Sequence, residues 1–176
     1  MTLMEKFKGT KKMVLLANLT AVAIVLGLIE NLINISPVTG AKLGLQNLIV
    51  IVVLYLLSFK EALLVPLIRV FMVGLLSGNF QVTFWMGLSG ALVSVLVMSL
   101  IKFIKVAPTL NSLIGSIAHQ IGQITIAVIA FATVEITGYL IIMIPMGIIT
   151  GILIGIITER FLLHYSKSGI DDEENK

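Results

Sequence analysis

Ala62-Leu63-Leu64-Val65-Pro66-Leu67-Ile68-Arg69-Val70-Phe71-Met72-Val73-Gly74-Leu75-Leu76 is apolar at every position but one, and the exception is an arginine near its centre. A guanidinium in the middle of a lipid bilayer costs about 2.5–3.5 kcal/mol on insertion scales. Such a group persists only where the protein gives it polar company. The stretch therefore reads as a membrane helix with one face turned to other polar groups. Glu30, Asn47, His119, Gln120 and Gln123 are the groups the chain offers.

Composition agrees with a membrane reading. Of 176 residues, 58% are hydrophobic and 12% charged, and the mean hydropathy is +1.11. A water-soluble domain of this length cannot hide so much apolar surface, so the solvent is lipid. With no cysteine there is no disulfide framework, thiolate metal site or cysteine nucleophile. The pI near 9.3 does not imply a nucleic-acid partner, because the bases fall in short loops between apolar runs. Met1 to Lys12 is basic like a signal peptide. The run that follows is of full spanning length with no small-residue cleavage site, so it is expected to stay as the first helix.

Six helices are predicted, at Met13–Leu32, Leu43–Ser58, Ala62–Leu76, Val82–Phe103, Leu110–Phe131 and Tyr139–Leu162. Breakers and charges separate them at Ser36 to Gly40, Phe59-Lys60-Glu61, Ser77-Gly78-Asn79, Lys102 to Pro108 and Thr133 to Gly138. The fold class is thus all-α, a polytopic six-helix membrane bundle. Residues 1–12 form a basic cytoplasmic N-terminus, 13–165 the membrane domain and 166–176 an acidic, disordered cytoplasmic tail. The second and third runs are short of the ~20 residues that cross the hydrocarbon. Short segments beside polar residues are expected where a cavity indents the bundle.

Threading six spans puts Lys6, Lys8, Lys11, Lys12, Lys60, Lys102, Lys105, Arg160, Lys167 and Lys176 on one side. Lys42 alone stands opposite. By the positive-inside rule both termini are cytoplasmic. Phe80, Phe84, Trp85 and Tyr139 then mark the outer interface, and Phe103, Phe161 and Tyr165 the inner one.

Arg69, His119 and Gln120 lie near mid-span. Glu30 lies roughly 10–12 Å outward of its helix centre at ~1.5 Å per residue, and Gln46 and Asn47 begin the second span. Arginine reaches several ångströms along its stem, so these groups can meet in the outer half. His119 and Gln123, four apart, share a helix face that Gln120 borders. A cavity for a polar or anionic ligand follows, since intramembrane ionisable groups usually mark substrate paths. The plainer account is a structural Arg69–Glu30 ion pair with the amides as interhelical glue. A metal site is not expected with a lone intramembrane imidazole. Ser89, Ser112 and Ser116 lack an acid at the depth of His119 for a hydrolytic triad. No cofactor is expected and the chain is not expected to be an enzyme.

Gly147, Gly151 and Gly155 recur every four residues, as do Gly74 and Gly78, and Ala17 and Ala21. Such spacing lets helices approach closely. Internal packing is expected for the glycines of the last span, whereas Ala17 and Ala21 make a candidate docking patch for another membrane protein.

At Ile29-Glu30, and through Pro37-Val38-Thr39-Gly40-Ala41-Lys42-Leu43-Gly44-Leu45-Gln46-Asn47, the chain resembles the Gx transporter family, also called heptaprenyl diphosphate synthase component I. The likeness continues through Phe59-Lys60-Glu61-Ala62-Leu63-Leu64-Val65, Leu67-Ile68-Arg69-Val70 and Ala118-His119-Gln120-Ile121-Gly122-Gln123. It covers most of residues 13 to 160. The family usually has a small residue where Gln46 stands and an Asn where Gln120 stands, departures that bear on the ligand more than on the fold. The family in turn resembles the substrate-binding S components of energy-coupling factor transporters, with six helices, an extracellular-facing site and Ala-x-x-x-Ala on the first helix. Ala17-Asn18-Leu19-Thr20-Ala21 matches that pattern.

The resemblance implies a subunit of the Gram-positive plasma membrane that binds a vitamin- or cofactor-like molecule. It would work with a transmembrane coupling subunit and cytoplasmic ATPases. The chain itself has no Gly-x-x-x-x-Gly-Lys-Ser/Thr loop. Some relatives are associated with flavin-linked extracellular electron transfer, which makes a flavin-related cargo one guess. In this scheme the loop from Asn31 to Lys42 is a lid, Lys42 and Arg69 attract an anionic group, and Asn47, His119, Gln120 and Gln123 line the pocket. Two alternatives stay open: an accessory membrane subunit of a prenyl diphosphate synthase, and a structural subunit of an electron-transfer assembly. Catalysis by a prenyl synthase needs carboxylates that hold Mg²⁺. The one acidic cluster, Asp171 to Glu174, stands in the tail.

Overall fold

The apolar runs become six α-helices: α1 (Gly9–Ile33), α2 (Asn47–Leu56), α3 (Phe59–Ser77), α4 (Val82–Phe103), α5 (Pro108–Phe131) and α6 (Leu140–Glu174). The computed structural model describes residues 9–33 and 47–174, and no strand occurs among them. A 3-10 turn, Val134–Tyr139, fills the separator before α6. The bounds of α4 and the end of α5 match the sequence prediction.

One difference is at α3, which begins at Phe59 rather than Ala62. Ser58-Phe59-Lys60-Glu61 has the Ser-x-x-Glu form of a capping box, although the Ser58 side chain makes no cap bond to the helix backbone. Ser58 is extended at the N-cap, its hydroxyl donates to the Glu61 carboxylate, and a negative charge in the first turn suits the helix dipole. Lys60 and Glu61 thus open the helix instead of separating two. At the other end of the chain, the backbone of α6 is helical through Asp171 to Glu174, where a disordered tail was expected. Each residue added to an existing helix gains a hydrogen bond without a new nucleation cost.

α2 sits at the centre. It packs against each of the other helices, and Ile49 to Leu54 and Leu56 are all buried. A helix apolar all round has no solvated face, so only the interior suits it. The others follow one another around it, α1 beside α3, then α4, α5 and α6. Their outward surfaces are apolar, with Phe103 84% and Ile141 80% exposed. Such a perimeter belongs in hydrocarbon. α1, α4, α5 and the segment Val134–Ser166 are long and apolar enough to cross a membrane. α3 has nineteen residues but carries Lys60, Glu61 and Arg69.

Successive helices alternate in direction. At one end, here the near end, Lys12 of α1 pairs with Glu61 of α3. The Lys102 ammonium donates to the Leu54 carbonyl at the close of α2 (2.5 Å). At the same end Thr109 of α5 donates to Glu159 of α6 (2.6 Å). At the far end, Asn31 of α1, Ser77 at the close of α3 and Asn79 after it line one cleft. The described ends of the chain therefore lie at the same end of the bundle.

Glycine seams bind the outer helices. A β-carbon at Gly122 would stand 2.8 Å from the Gly90 Cα, so α4 and α5 touch backbone to backbone. Ser89 and Ser94 donate across this seam to the Gly122 and Gly115 carbonyls (3.0 and 2.8 Å). Gly147, Gly151 and Gly155 of α6 receive Gln120, Ser116 and Thr109 of α5, which is the internal packing expected of them. Gly78 plays a different part from the one its spacing suggested. It closes α3 at φ +63° with open space around it. Its N–H bonds to Leu75 (3.3 Å) and that of Asn79 to Gly74 (3.0 Å), a Schellman cap.

Candidate functional site

Arg69 is carried inward by α3 and is only 2% exposed. Its Nε and Nη2 groups have no hydrogen-bond partner among the described residues. Glu30, buried on α1, supplies the attractive charge it feels. Beside them a cleft of about 30 Å³ opens toward the far end. It is walled by Val73 and Gly74 of α3, Ser77, and Thr83 and Phe84 of α4. Gly74 shapes this wall, since a β-carbon there would stand 3.0 Å from the Phe84 ring. The rings of Phe71, Phe80, Phe84 and Trp85 stack onward in a chain with centroids 5.0–6.1 Å apart. The cleft has room for a water molecule or two.

The other predicted groups fall into separate places. His119 and Gln123 are fully buried on α5 and hydrogen-bonded, Nε2 to Nε2, at 3.0 Å. With the amide nitrogen donating, the imidazole accepts at Nε2 and carries its proton on Nδ1. The pair lies on Gly90 of α4, where a β-carbon would meet Gln123 Cγ at 2.8 Å. Gln120 turns instead to the α6 seam, against Gly147. Asn47 is buried at the start of α2, and its amide nitrogen has no partner among the described residues. Thus the structure brings Glu30 to Arg69 and Gln123 to His119, and sends Gln120 to a different helix pair. Lys42, Gln46 and residues 34–46 as a whole lie outside the described residues. Ala17 and Ala21 are exposed on α1, with Asn18 exposed between them.

Chemically, the Arg69 centre is a buried guanidinium with two donor groups unpaired among the described residues, beside a carboxylate. The planar fork of arginine suits carboxylates and phosphates. Among the described residues, no three His, Asp or Glu side chains gather as metal ligands.

The model of the family described as heptaprenyl diphosphate synthase component I matches residues 19–161. The chain belongs to that family. No curated protein and no solved structure matches it. The stretch matched to heptaprenyl diphosphate synthase component I contains Glu30, Asn47, Arg69, His119, Gln120, Gln123 and Ala21, and leaves out Ala17 and the acidic tail.

A polar network at the near end escaped the sequence reading. Asn111, fully buried, donates from Nδ2 to the Met98 carbonyl (3.0 Å) and the Tyr55 hydroxyl (3.2 Å). The Lys102 ammonium lies 5.3 Å from the centroid of the Tyr55 ring. Together with the bond to Leu54, these contacts cap the carbonyl end of α2 inside the bundle. The signal was present as a lysine and an asparagine flanking a helix break, but nothing in the spacing linked them to α2. Outside the spans, burial alone would raise Glu61. Its hydrogen bonds to Lys12 and Ser58 outweigh that and hold it below the ordinary carboxylate range.

Proposed function

We propose that this membrane protein is a substrate-binding subunit of the S-component type. It takes a vitamin- or cofactor-like molecule with a carboxylate or phosphate from the far side of the membrane. One observation carries this reading: Arg69 is buried deep in the bundle with Nε and Nη2 unpartnered among the described residues, at the head of a cleft that leads to the far end. Leaving donor groups of a buried cation unpaired is costly, and a ligand anion would relieve that cost. At about 30 Å³ the cleft is too small for such a molecule, so a ligand enters when α1, α3 and α4 part at that end. Glu30, Lys42, Asn47, His119 and Gln123 are the further groups assigned to the opened pocket, while Gln120 stays in the α5–α6 seam.

The exposed Ala17, Asn18 and Ala21 of the Ala17-Asn18-Leu19-Thr20-Ala21 stretch support a second element of the proposal, docking of a transmembrane coupling subunit served by cytoplasmic ATPases. An amide facing lipid has no partner there, whereas a helix seated on two alanines could bond it.

The family's name favours another reading, an accessory membrane subunit of a prenyl diphosphate synthase. Mass spectrometry of small molecules that co-purify with the detergent-solubilised protein separates the two. A vitamin or flavin lost in Arg69→Ala supports the carrier, with the loss of affinity measured by calorimetry. A prenyl compound retained in Arg69→Ala overturns it. Ala17→Leu is expected to break co-purification with a coupling subunit and leave ligand affinity unchanged.

A further inference from the structure

An apolar concavity much larger than the cleft at Arg69 lies on the outer face of α4 at the near end. There a groove of about 560 Å³ runs between α4 and the junction of α2 with α3. Phe59, Leu96, Leu100 and Phe103 wall it, and Lys102 and Lys105 stand at its near-end rim. Leu100 is 66% exposed and Phe103 is barely covered, so the groove faces the hydrocarbon directly.

The two lysines differ in a telling way. The Lys102 ammonium spends one donor on the Leu54 carbonyl, which leaves two of its three for a ligand. Lys105 ends the α4 turn at φ +57°, a left-handed conformation that L side chains rarely adopt and glycine usually fills. Its exposed side chain is thereby set at the mouth of an apolar trough. A long apolar wall closed by two cations is complementary to one kind of molecule, an amphiphile with an anionic head.

We propose that this groove is a binding site for an anionic membrane phospholipid, its acyl chain against Leu96, Leu100 and Phe103 and its phosphate between Lys102 and Lys105. The near end also gathers Lys11, Lys12, Lys60 and Arg160, which would draw anionic lipid to this face in general. The groove adds a fixed site to that diffuse attraction. The inference is independent of what Arg69 binds.

The test uses the full chain in vesicles. Trp85, the single tryptophan, is replaced by Phe, and Phe103→Trp places a reporter in the groove. Quenching is compared between brominated phosphatidylglycerol and brominated phosphatidylcholine. A basic side chain near a membrane surface favours anionic lipid by about fivefold. The reporter should therefore prefer the glycerol lipid by at least that ratio, and Lys105→Gln should remove most of the preference. Arg160→Gln, a near-end base outside the groove, should leave it in place. Equal quenching by both lipids overturns the proposal. So does a preference that survives Lys105→Gln, or one that falls equally with Arg160→Gln. A reporter shielded from both lipids by a second protein chain overturns it too, by making the groove a protein interface. Leu100→Trp repeats the measurement should the Phe103 variant fail to insert.

Discussion

At the scale of single residues, the behaviour of Arg69 separates stability from binding. Removing one member of a buried ion pair strands the other, typically at a cost of about 3–5 kcal/mol. Replacing both with apolar side chains is often close to neutral. Arg69→Leu should therefore lower the thermal midpoint in detergent strongly, and Glu30→Leu/Arg69→Leu should recover most of that loss. Ligand binding should be absent in both. A double variant no more stable than the single one would show that Glu30 is not the charge Arg69 balances. Glu61 gives a second residue-scale expectation. Its carboxyl is held below the ordinary range by Lys12 and Ser58, so its stabilising contribution is present above the unfolded value of about 4.3. It is lost as the pH falls through the lower folded value. Solvent screens the pair to below about 1 kcal/mol. The gap between wild type and Glu61→Gln in denaturation midpoint should be constant near neutrality and close in acid. Residue identity was also what made the candidate site legible: a charge in an apolar run is visible in one dimension. Which face of α5 each amide takes was not, because Gln120 and Gln123 differ by less than one helical turn yet meet α6 and α4.

At the scale of elements, the glycines divide by what lies beneath them. A β-carbon at Gly122 would press on the backbone of Gly90 at 2.8 Å, and backbone cannot swing aside. Gly122→Ala should destabilise the α4–α5 pair by about 1–3 kcal/mol, the usual cost of overpacking. Gly138 has nothing within 4 Å of its added carbon, so Gly138→Ala should change the melting temperature little. Similar losses in both would remove the seam as the cause. Helix existence was readable from the apolar runs, but the starts of α3 and the role of Gly78 were not. Charges at Lys60-Glu61 look like a loop until the capping pattern from Ser58 is weighed. Four-residue glycine spacing looks like a packing face until the backbone shows one of the pair as a cap. Centrality of α2 follows from its Ile and Val run, which leaves it no polar face.

At the scale of the whole molecule, the decisive quantity is the number of crossings. Alternating helix directions place the start of α1 and the later part of α6 at one end. The described bases Lys11, Lys12, Lys60, Lys102, Lys105 and Arg160 stand at that same end, and the positive-inside rule predicts that this end faces the cytoplasm. Four helices have the length and hydropathy to cross by themselves. A six-crossing topology predicts that α2 and α3 cross as a pair sheltered by the others, since the ten described residues of α2 rise only about 15 Å and Arg69 charges α3. The chain contains no cysteine, so single introduced cysteines can report sidedness without a background. A membrane-impermeant thiol reagent should label Lys11→Cys, Lys105→Cys and Arg160→Cys only in inverted vesicles, and Asn79→Cys only in intact cells. Labelling of Asn79→Cys from the same side as Lys105→Cys would mean that α4 does not cross. The cleft beside Arg69 would then open toward the side that the near-end lysines occupy, and no ligand could reach it from outside.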